Sequence, residues 1–332
     1  MQKRRVGKSG PEVSALGLGC MGMSDLYGPA PREQCIATIH AALDAGITVL
    51  DTGDWYGMGH NELLIREALK GRNREDIFIA VKFGALRSPD RVFVGIDARP
   101  AAVQNFLAYT LQRLGTDYVD LYQPSRLDPS VPIEDTVGAM SEMVEKGFVR
   151  YLGLSETGAE TLRRAHAVHT ISQLQIEYSL FSRGIEQAIL PAARELGVSI
   201  AAYGVLSRGL LSGHWSKERS DGAGGDLRGH LPRFSGENLD KNLGLVETLR
   251  SVGNDLGATV AQLAIAWVLA QGDDIIPLIG ARRPERLKEA LGALDVELTP
   301  EILQRIEAAV PEGSVAGQRY DDRGMSILDS ER

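Results

Sequence analysis

Gly17-Leu18-Gly19-Cys20-Met21-Gly22, followed by Met23-Ser24-Asp25-Leu26-Tyr27-Gly28-Pro29-Ala30-Pro31, is the stretch on which the fold turns. Its first six residues spell G-x-G-x-x-G after an apolar run, the fingerprint of an open, doubly wound dinucleotide-binding sheet. That fingerprint works only if a helix opens at the third glycine and sets its N-terminus on a pyrophosphate. Here loop chemistry follows instead, and helical period resumes only near Arg32. The glycines therefore read as backbone that something approaches closely, and the open sheet gives way to its competitor, a closed barrel.

Working outward, short runs rich in Val, Ile and Leu are expected to be strands ending near Cys20, Asp51, Lys82, Ser125, Ser155, Gln175, Tyr203 and Gly280. Segments of helical period lie between them. Ile36, Ile39 and Leu43 share a face, as do Val103, Leu107, Leu111 and Leu114, then Val137, Met140 and Val144, and later Leu287, Leu291 and Leu294. Pro100 and Pro284 stand where helices begin, at positions that need no N–H. Eight strand–helix units make an α/β protein of the (β/α)8 TIM barrel type, and 332 residues suit one such domain over 1–332. The connection after the seventh strand, from Tyr203 to about Leu239, lacks period. It carries Ser207-Arg208-Gly209, Lys217-Glu218-Arg219 and Gly222-Ala223-Gly224-Gly225. A loop of that length is a lid whose cations meet phosphates, or a surface insertion. The tail beyond Pro311 is polar and aperiodic, and is expected to wrap the outside or fray.

A net charge of −8 argues against nucleic acid as the main partner, and a local basic patch could still hold a small phosphorylated cofactor. Apolar residues make up 43% and charged ones 24%, ordinary for a globular chain. Cys20 and Cys35 form neither a disulfide framework nor a metal set, and suit a reducing cytoplasm. Met1-Gln2-Lys3-Arg4-Arg5 leads into no apolar run of signal type, and no stretch of ~18 apolar residues offers a membrane span.

Ionisable residues at the C-terminal ends of barrel strands are where chemistry is sought. Asp51 closes Thr48-Val49-Leu50-Asp51, and Lys82 closes Ile77-Phe78-Ile79-Ala80-Val81-Lys82. On neighbouring strands each would satisfy the other's buried charge. Tyr56, in the loop after Asp51, can fold back over the mouth. An ammonium about 4 Å away interacts with a phenolate by up to ~4 kcal/mol at an effective dielectric of ~20. That would bring a phenol from its ordinary ~10 towards ~7–8, apt for a general acid or base. The plainer alternative is an ion pair that closes a barrel end, with Tyr56 as loop packing.

Over nearly its whole length the chain resembles the aldo-keto reductase family. The resemblance rests on Leu16 to Gly22, Leu50-Asp51-Thr52 with Tyr56-Gly57 and Asn61-Glu62, and Val81-Lys82-Phe83-Gly84. It continues through Arg113 to Tyr122, Gly153-Leu154-Ser155 and Gln175-Ile176-Glu177-Tyr178. It implies an NADP(H)-dependent oxidoreductase in which Tyr56 gives the proton, Lys82 and Asp51 tune it, and nicotinamide supplies hydride. It also implies that Cys20, Met21, Gly22 and Asp51 line the nicotinamide side. Ser155 and Gln175 hold the carboxamide, and Tyr203 lies against the ring. Gly204, Val205, Leu206, Ser207, Arg208, Gly209 and Leu210 follow the pyrophosphate, with Lys217 beyond. Gly280, Arg282, Arg286 and Glu289 take the adenosine end. There the residues agree on their own: Gly280-Ala281-Arg282-Arg283-Pro284-Glu285-Arg286 puts arginines at a strand-to-helix turn, which suits a 2′-phosphate or is a solvated basic turn.

Departures are equally specific. Ser125 takes the position of the family's usual histidine, Glu156 replaces a frequent Asn, and Gly204-Val205 replaces Ser-Pro. A hydroxyl can donate to a carbonyl oxygen but carries no charge. Met23, Tyr27, Trp55, Leu86, Ser125 and Arg126 are expected to shape the substrate side, for a neutral or aromatic carbonyl or its alcohol. Two other functions fit parts of the pattern: a lyase using Lys82 as a Schiff-base amine, and a cofactor-sensing accessory subunit with vestigial turnover.

Overall fold

Apolar β-branched runs that alternate with amphipathic helices bury best as a parallel sheet wrapped by those helices. The computed structural model, which describes residues 1–24, 26–217 and 226–331, has this arrangement. An antiparallel hairpin, β1 (Lys3–Arg5) and β2 (Glu12–Ser14), comes first. The barrel strands are β3 (Gly17–Gly19), β4 (Val49–Gly53), β5 (Phe78–Phe83), β8 (Val119–Pro124), β9 (Val149–Ser155), β10 (Ile171–Glu177), β11 (Ser199–Tyr203) and β12 (Ile275–Gly280). A second hairpin, β6 (Ala85–Arg87) with β7 (Phe93–Ile96), projects after β5. Neighbours in sequence are neighbours in the barrel, and β12 closes the ring on β3 with Leu278 opposite Gly17 and Gly280 opposite Gly19. The eight ends fall within two residues of the expected positions. At the deciding stretch only a single helical turn forms over Met21–Met23, and the first long helix, α1, spans Arg32–Asp44. No helix N-terminus sits at Gly22, so the dinucleotide fingerprint does not operate there.

Strand alternation sorts the interior. Val49, Phe78, Ala80, Leu121, Ala201, Ile276 and Leu278 form one inward cluster, and Val6 and Val13 of the β1–β2 region pack into it from below. Two residues further along the same strands come Asp51, Lys82, Gln123, Tyr203 and Gly280. The apolar plug thus passes directly into a polar layer at the C-terminal mouth. The hairpins carried little signal, since strands of three or four residues show almost no period.

Two expectations are corrected. The long connection is not shapeless: among its described residues, short turns run over Ser207–Ser212, Leu227–His230 and Pro232–Phe234, and a helix opens at Gly236. Glu218, Arg219 and Gly222 to Gly225 lie outside the described residues. The tail neither wraps the outer wall nor frays. It returns to the mouth and buries Arg319 to 7% and Leu328 to 1% exposure, because a charge partner awaits it there.

Gly153 shows how full the barrel is. A Cβ on it would lie 2.8 Å from Leu121 Cδ2 and 3.0 Å from both the Gln123 Oε1 and the Gln173 carbonyl oxygen. Gly153→Val is expected to cost about 1–3 kcal/mol, the usual penalty of overpacking, read as a lower urea midpoint at unchanged slope.

Candidate active site

Adjacent strands bring the two sequence-selected charges together. Gly53 pairs with Lys82 in the β4–β5 register, and the Lys82 Nζ donates to both Asp51 oxygens, at 2.6 and 2.7 Å. Their side chains are 4% and 7% exposed, so the pair is held out of water, where it stands only with further hydrogen bonds. Gln175 supplies one, its Nε2 donating to Asp51 Oδ2 at 2.6 Å. Tyr56 folds back over this pair on a tight turn in which its N–H donates to the Gly53 carbonyl at 3.1 Å. A Cβ on Gly53 would stand 3.2 Å from the tyrosine ring, so glycine is what lets the ring settle. The Lys82 ammonium lies 5.2 Å from the ring centroid, and Trp55 packs edge-on at 4.5 Å. Asn61 pins the loop: it donates to the Cys20 carbonyl at 2.9 Å and accepts from Thr52 Oγ1 at 2.7 Å.

The electrostatics differ from the sequence expectation. Burial pushes the Tyr56 phenol well above its ordinary value and Asp51 adds to this, while Arg126 opposes it. Burial also lowers the Lys82 ammonium, with Asp51 acting against the fall. The expected lowering of Tyr56 assumed an ammonium turned on the phenol; here both carboxylate oxygens already claim it. The phenol therefore rests neutral.

Several buried polar atoms at this mouth have no hydrogen-bond partner among the described residues: Ser125 Oγ, Ser155 Oγ, both amide atoms of Gln123, Trp55 Nε1 and Arg126 Nε. Buried polar groups are normally paired, so these mark where ligand or water belongs. Ser155 stands opposite Gln175 in the β9–β10 register, which brings the two expected carboxamide partners side by side. Cys20 is fully buried, and Gly22 is hemmed in, a Cβ there lying 3.1 Å from the Tyr27 ring and 3.5 Å from Arg282.

The turn after β12 gathers the expected cluster with its own occupants. Arg282 Nη1 donates to the carbonyls of Tyr27 (2.9 Å) and Gly28 (3.2 Å). Arg286 donates to Glu289 at 2.9 Å, and His214 meets the same carboxylate. Gly280 is exposed, with open space where a Cβ would be. Lys217 pairs instead with Asp240 at 2.6 Å, both exposed. Over Ser207, Arg208 and Gly209 the backbone turns left-handed, at φ 45°, 54° and 112°, which swings Arg208 inward onto Glu177 at 3.2 Å. Val205 and Leu210 are buried, while Gly204 and Leu206 are half-buried. On the substrate side Met23 is buried, Tyr27 and Leu86 are half-buried, and Arg87 lies 5.0 Å above the Trp55 ring.

Sequence reasoning missed the tail's contribution. Arg319 grips Glu156 with two bonds, at 3.0 and 2.7 Å, and stands 3.6 Å from Glu177. Tyr320 lies 3.2 Å from the Tyr203 hydroxyl, under Arg208 at 4.2 Å, and accepts from Arg126 at 3.3 Å. The one available signal was Glu156 itself, an acid at a buried strand end that demands a cation from somewhere.

Set beside known proteins, this geometry has close parallels. The model of the Aldo/keto reductase family matches residues 15–311. A protein of Glycine max named probable aldo-keto reductase 1 is 45% identical over 323 residues, 96% of this chain and 92% of that one. Among solved structures, a glycerol dehydrogenase from Gluconobacter oxydans superposes with a TM-score of 0.83 at 29% identity, over 92% of this chain and 94% of its own. An aldo-keto reductase from Bacillus halodurans in its holo form does so with a TM-score of 0.77 at 28% identity, over 93% and 96%. The chain belongs to the aldo/keto reductase family, oxidoreductases acting on carbonyl groups.

Glu156 gives a pH test of the tail's anchor. Burial would raise its carboxyl, but Arg319, with Arg126 and the Ser330 hydroxyl, outweighs that and holds it down at about 2. An unfolded glutamate titrates near ~4.3. A folded value below the unfolded one means the stabilisation is present above about pH 4.3 and is lost as pH falls from there towards 2. Melting temperatures measured from pH 6 to pH 3 should therefore fall less steeply in Glu156→Gln than in the wild type, from a lower starting value.

Proposed function

We propose that this chain is an NADP(H)-dependent reductase that interconverts a carbonyl compound and its alcohol, with Tyr56 as the proton donor and acceptor. The observation that carries this reading is the buried Asp51–Lys82 pair with the neutral Tyr56 ring folded over it at 5.2 Å. A bound reduced nicotinamide supplies hydride to the carbonyl carbon. The chain's own part is to hold a protonated phenol at the oxygen, where general acid catalysis contributes typically ~10²–10⁴-fold. Asp51 holds the Lys82 head in place, and Lys82 steadies the phenolate that forms as the proton leaves. Ser125 offers an unpartnered hydroxyl to the same oxygen. With its amine bound to both Asp51 oxygens, Lys82 is poorly placed to act as a Schiff-base nucleophile.

The residues fit such a cofactor. The orphaned Ser155 hydroxyl beside Gln175 suits a carboxamide, and Cys20, Met21, Gly22 and Tyr203 would line the nicotinamide. Gly204 to Leu210 border the pyrophosphate path. The bare Gly280, with Arg282 and Arg286 at the start of the next helix (Pro284–Leu291) and Glu289 on it, suits adenosine and a 2′-phosphate. Cys20 and Cys35 are buried free thiols that fit a reducing, cytoplasmic setting. No single helix among the described residues is long and apolar enough to cross a membrane. The expectation of a neutral or aromatic substrate rests on Met23, Tyr27, Trp55 and Leu86; the unpartnered donors beside them pull the other way.

Tyr56→Phe should bind NADPH as the wild type does and lose turnover by ~10²–10⁴-fold, measured as NADPH oxidation across a panel of aldehydes and ketones; activity within a factor of about two of wild type would remove Tyr56 from the mechanism. Fluorescence titration should show tighter binding of NADPH than of NADH. Arg286→Ala should narrow that gap by roughly 10–100-fold, the worth of a charge-assisted phosphate contact. Equal affinities in the wild type would refute the 2′-phosphate assignment.

A further inference from the structure

One buried acid behind the mouth has no cation of its own. Lys82 answers Asp51, Arg319 answers Glu156, and Arg208 answers Glu177. Asp54 is 7% exposed and forms no ion pair among the described residues. Its Oδ1 is buried without a hydrogen-bond partner, and its Oδ2 accepts from the Gly84 N–H at a long 3.4 Å. Asp51 faces the barrel axis, so alternation turns Thr52 and Asp54 outward, beneath α2 (His60–Ala68) and α3 (Pro100–Leu114). The groups that face Asp54 there are Glu62 on α2, Arg113 on α3 and the Tyr122 phenol on β8. Glu62 is fully buried. Arg113 is bonded to its Oε2, while its Oε1 and the nearby Thr110 hydroxyl have no partner. One guanidinium thus stands among two buried carboxyls, and Glu62 holds it. Two carboxylates with one cation in a dry layer do not both ionise readily, and the one without the cation keeps its proton. Burial first, then the Glu62 charge, push the Asp54 carboxyl up to about 7, against the Gly84 and Trp55 N–H groups and Arg113.

Asp54 also joins the segments that carry Tyr56 and Lys82. Its N–H donates to the Lys82 carbonyl at 2.9 Å, and its Oδ2 meets Gly84 two residues further on. Trp55 and Tyr56 follow it directly, on the turn closed by the Gly53 carbonyl. We propose that Asp54 is a positioning residue, held as the neutral acid beside the Glu62 carboxylate, and that in this state it seats the turn carrying Tyr56 against the strand carrying Lys82. This rests on the Tyr56 reading above and deepens it. Loss of the proton puts a second buried charge beside Glu62. The charged side chain is then drawn towards water, and its neighbours Trp55 and Tyr56 move with it. Proton transfer by Tyr56 therefore declines as pH rises through neutrality, although the phenol itself stays protonated there. Stability follows the same proton. An unfolded aspartate titrates near ~3.9. A folded value above that means the stabilisation is full below about pH 3.9 and is lost as pH rises towards 7.

Infrared difference spectra of the whole chain, acid against alkaline, should show the carbonyl stretch of a protonated carboxyl that disappears with a midpoint near neutrality and is missing in Asp54→Asn. Glu62→Gln removes the neighbouring charge and frees Arg113, so it should move that midpoint down by at least about one pH unit. No such carboxyl in the wild type, its persistence in Asp54→Asn, or an unmoved midpoint in Glu62→Gln overturns the proposal. Melting temperatures need no turnover either. From pH 5 to pH 8 the wild type should lose stability that Asp54→Asn, whose amide cannot ionise, keeps; parallel curves overturn the proposal. For catalysis the probe is NADPH-driven reduction of 4-nitrobenzaldehyde, which does not itself titrate. The wild-type kcat should be at least ~5-fold lower at pH 8.5 than at pH 6, and that ratio should shrink to within about twofold in Asp54→Asn. Equal ratios in the two proteins overturn the positioning role. If no aldehyde is reduced at any pH while the infrared band and the melting curves behave as expected, the reductase reading fails and the acid pair stands.

Discussion

Everything at this mouth follows from how a closed parallel barrel treats charge. Each strand delivers every second side chain inward, and eight strands converge on one axis. Below, Val49, Phe78, Ala80, Leu121 and Ile276 fill that axis. Above, the next inward positions have nowhere to go but a dry, crowded layer. A charge placed there must find its partner on a neighbouring strand or on a segment folded over the mouth. Asp51 finds Lys82 and Gln175; Glu156 finds Arg319; Glu177 finds Arg208 and Arg233. One neutral group, the Tyr56 phenol, is pressed against a pair already satisfied.

Much of this was legible in the chain. The barrel was readable because its strands are long, apolar and regularly spaced by helices, and because the region after Gly22 lacks the helix that an open dinucleotide-binding sheet needs. Asp51 and Lys82 were readable because a charge that ends an apolar run must sit where the strand meets the mouth. What was not legible shares one physical cause: it depends on contacts across great sequence distance or on local backbone shape. Nothing near Glu156 announces Arg319. Nothing in Ser207-Arg208-Gly209 states that three successive left-handed residues will turn the arginine inward rather than outward. Tyr56 folds over the pair as its place in the loop suggested, but the direction of its electrostatics was misjudged, since burial and the prior claim of Asp51 on the ammonium are three-dimensional facts.

The substitution of serine for histidine at 125 is best understood together with its surroundings. Histidine is an oriented donor that can carry charge. Serine leaves a smaller, neutral donor and more room, and the adjacent Arg126 brings a charge that never titrates. Arg126 reaches the tail at Tyr320, and Glu156 holds the tail through Arg319. Tyr320 lies between Arg126 and Arg208.

The ring closure between β12 and β3 joins residues 278–280 to residues 17–19, and Arg319 reaches back to Glu156 across 163 positions. On a ribosome that order becomes a timetable. The first strand waits through the synthesis of nearly the whole barrel before its second neighbour exists, and through that interval its edge is open to wrong pairing. Glu156 and Glu177 spend the same interval without the tail's guanidinium. The catalytic mouth is thus among the last parts of the molecule to be completed, and a nascent chain holds a nearly finished barrel before it holds a finished site.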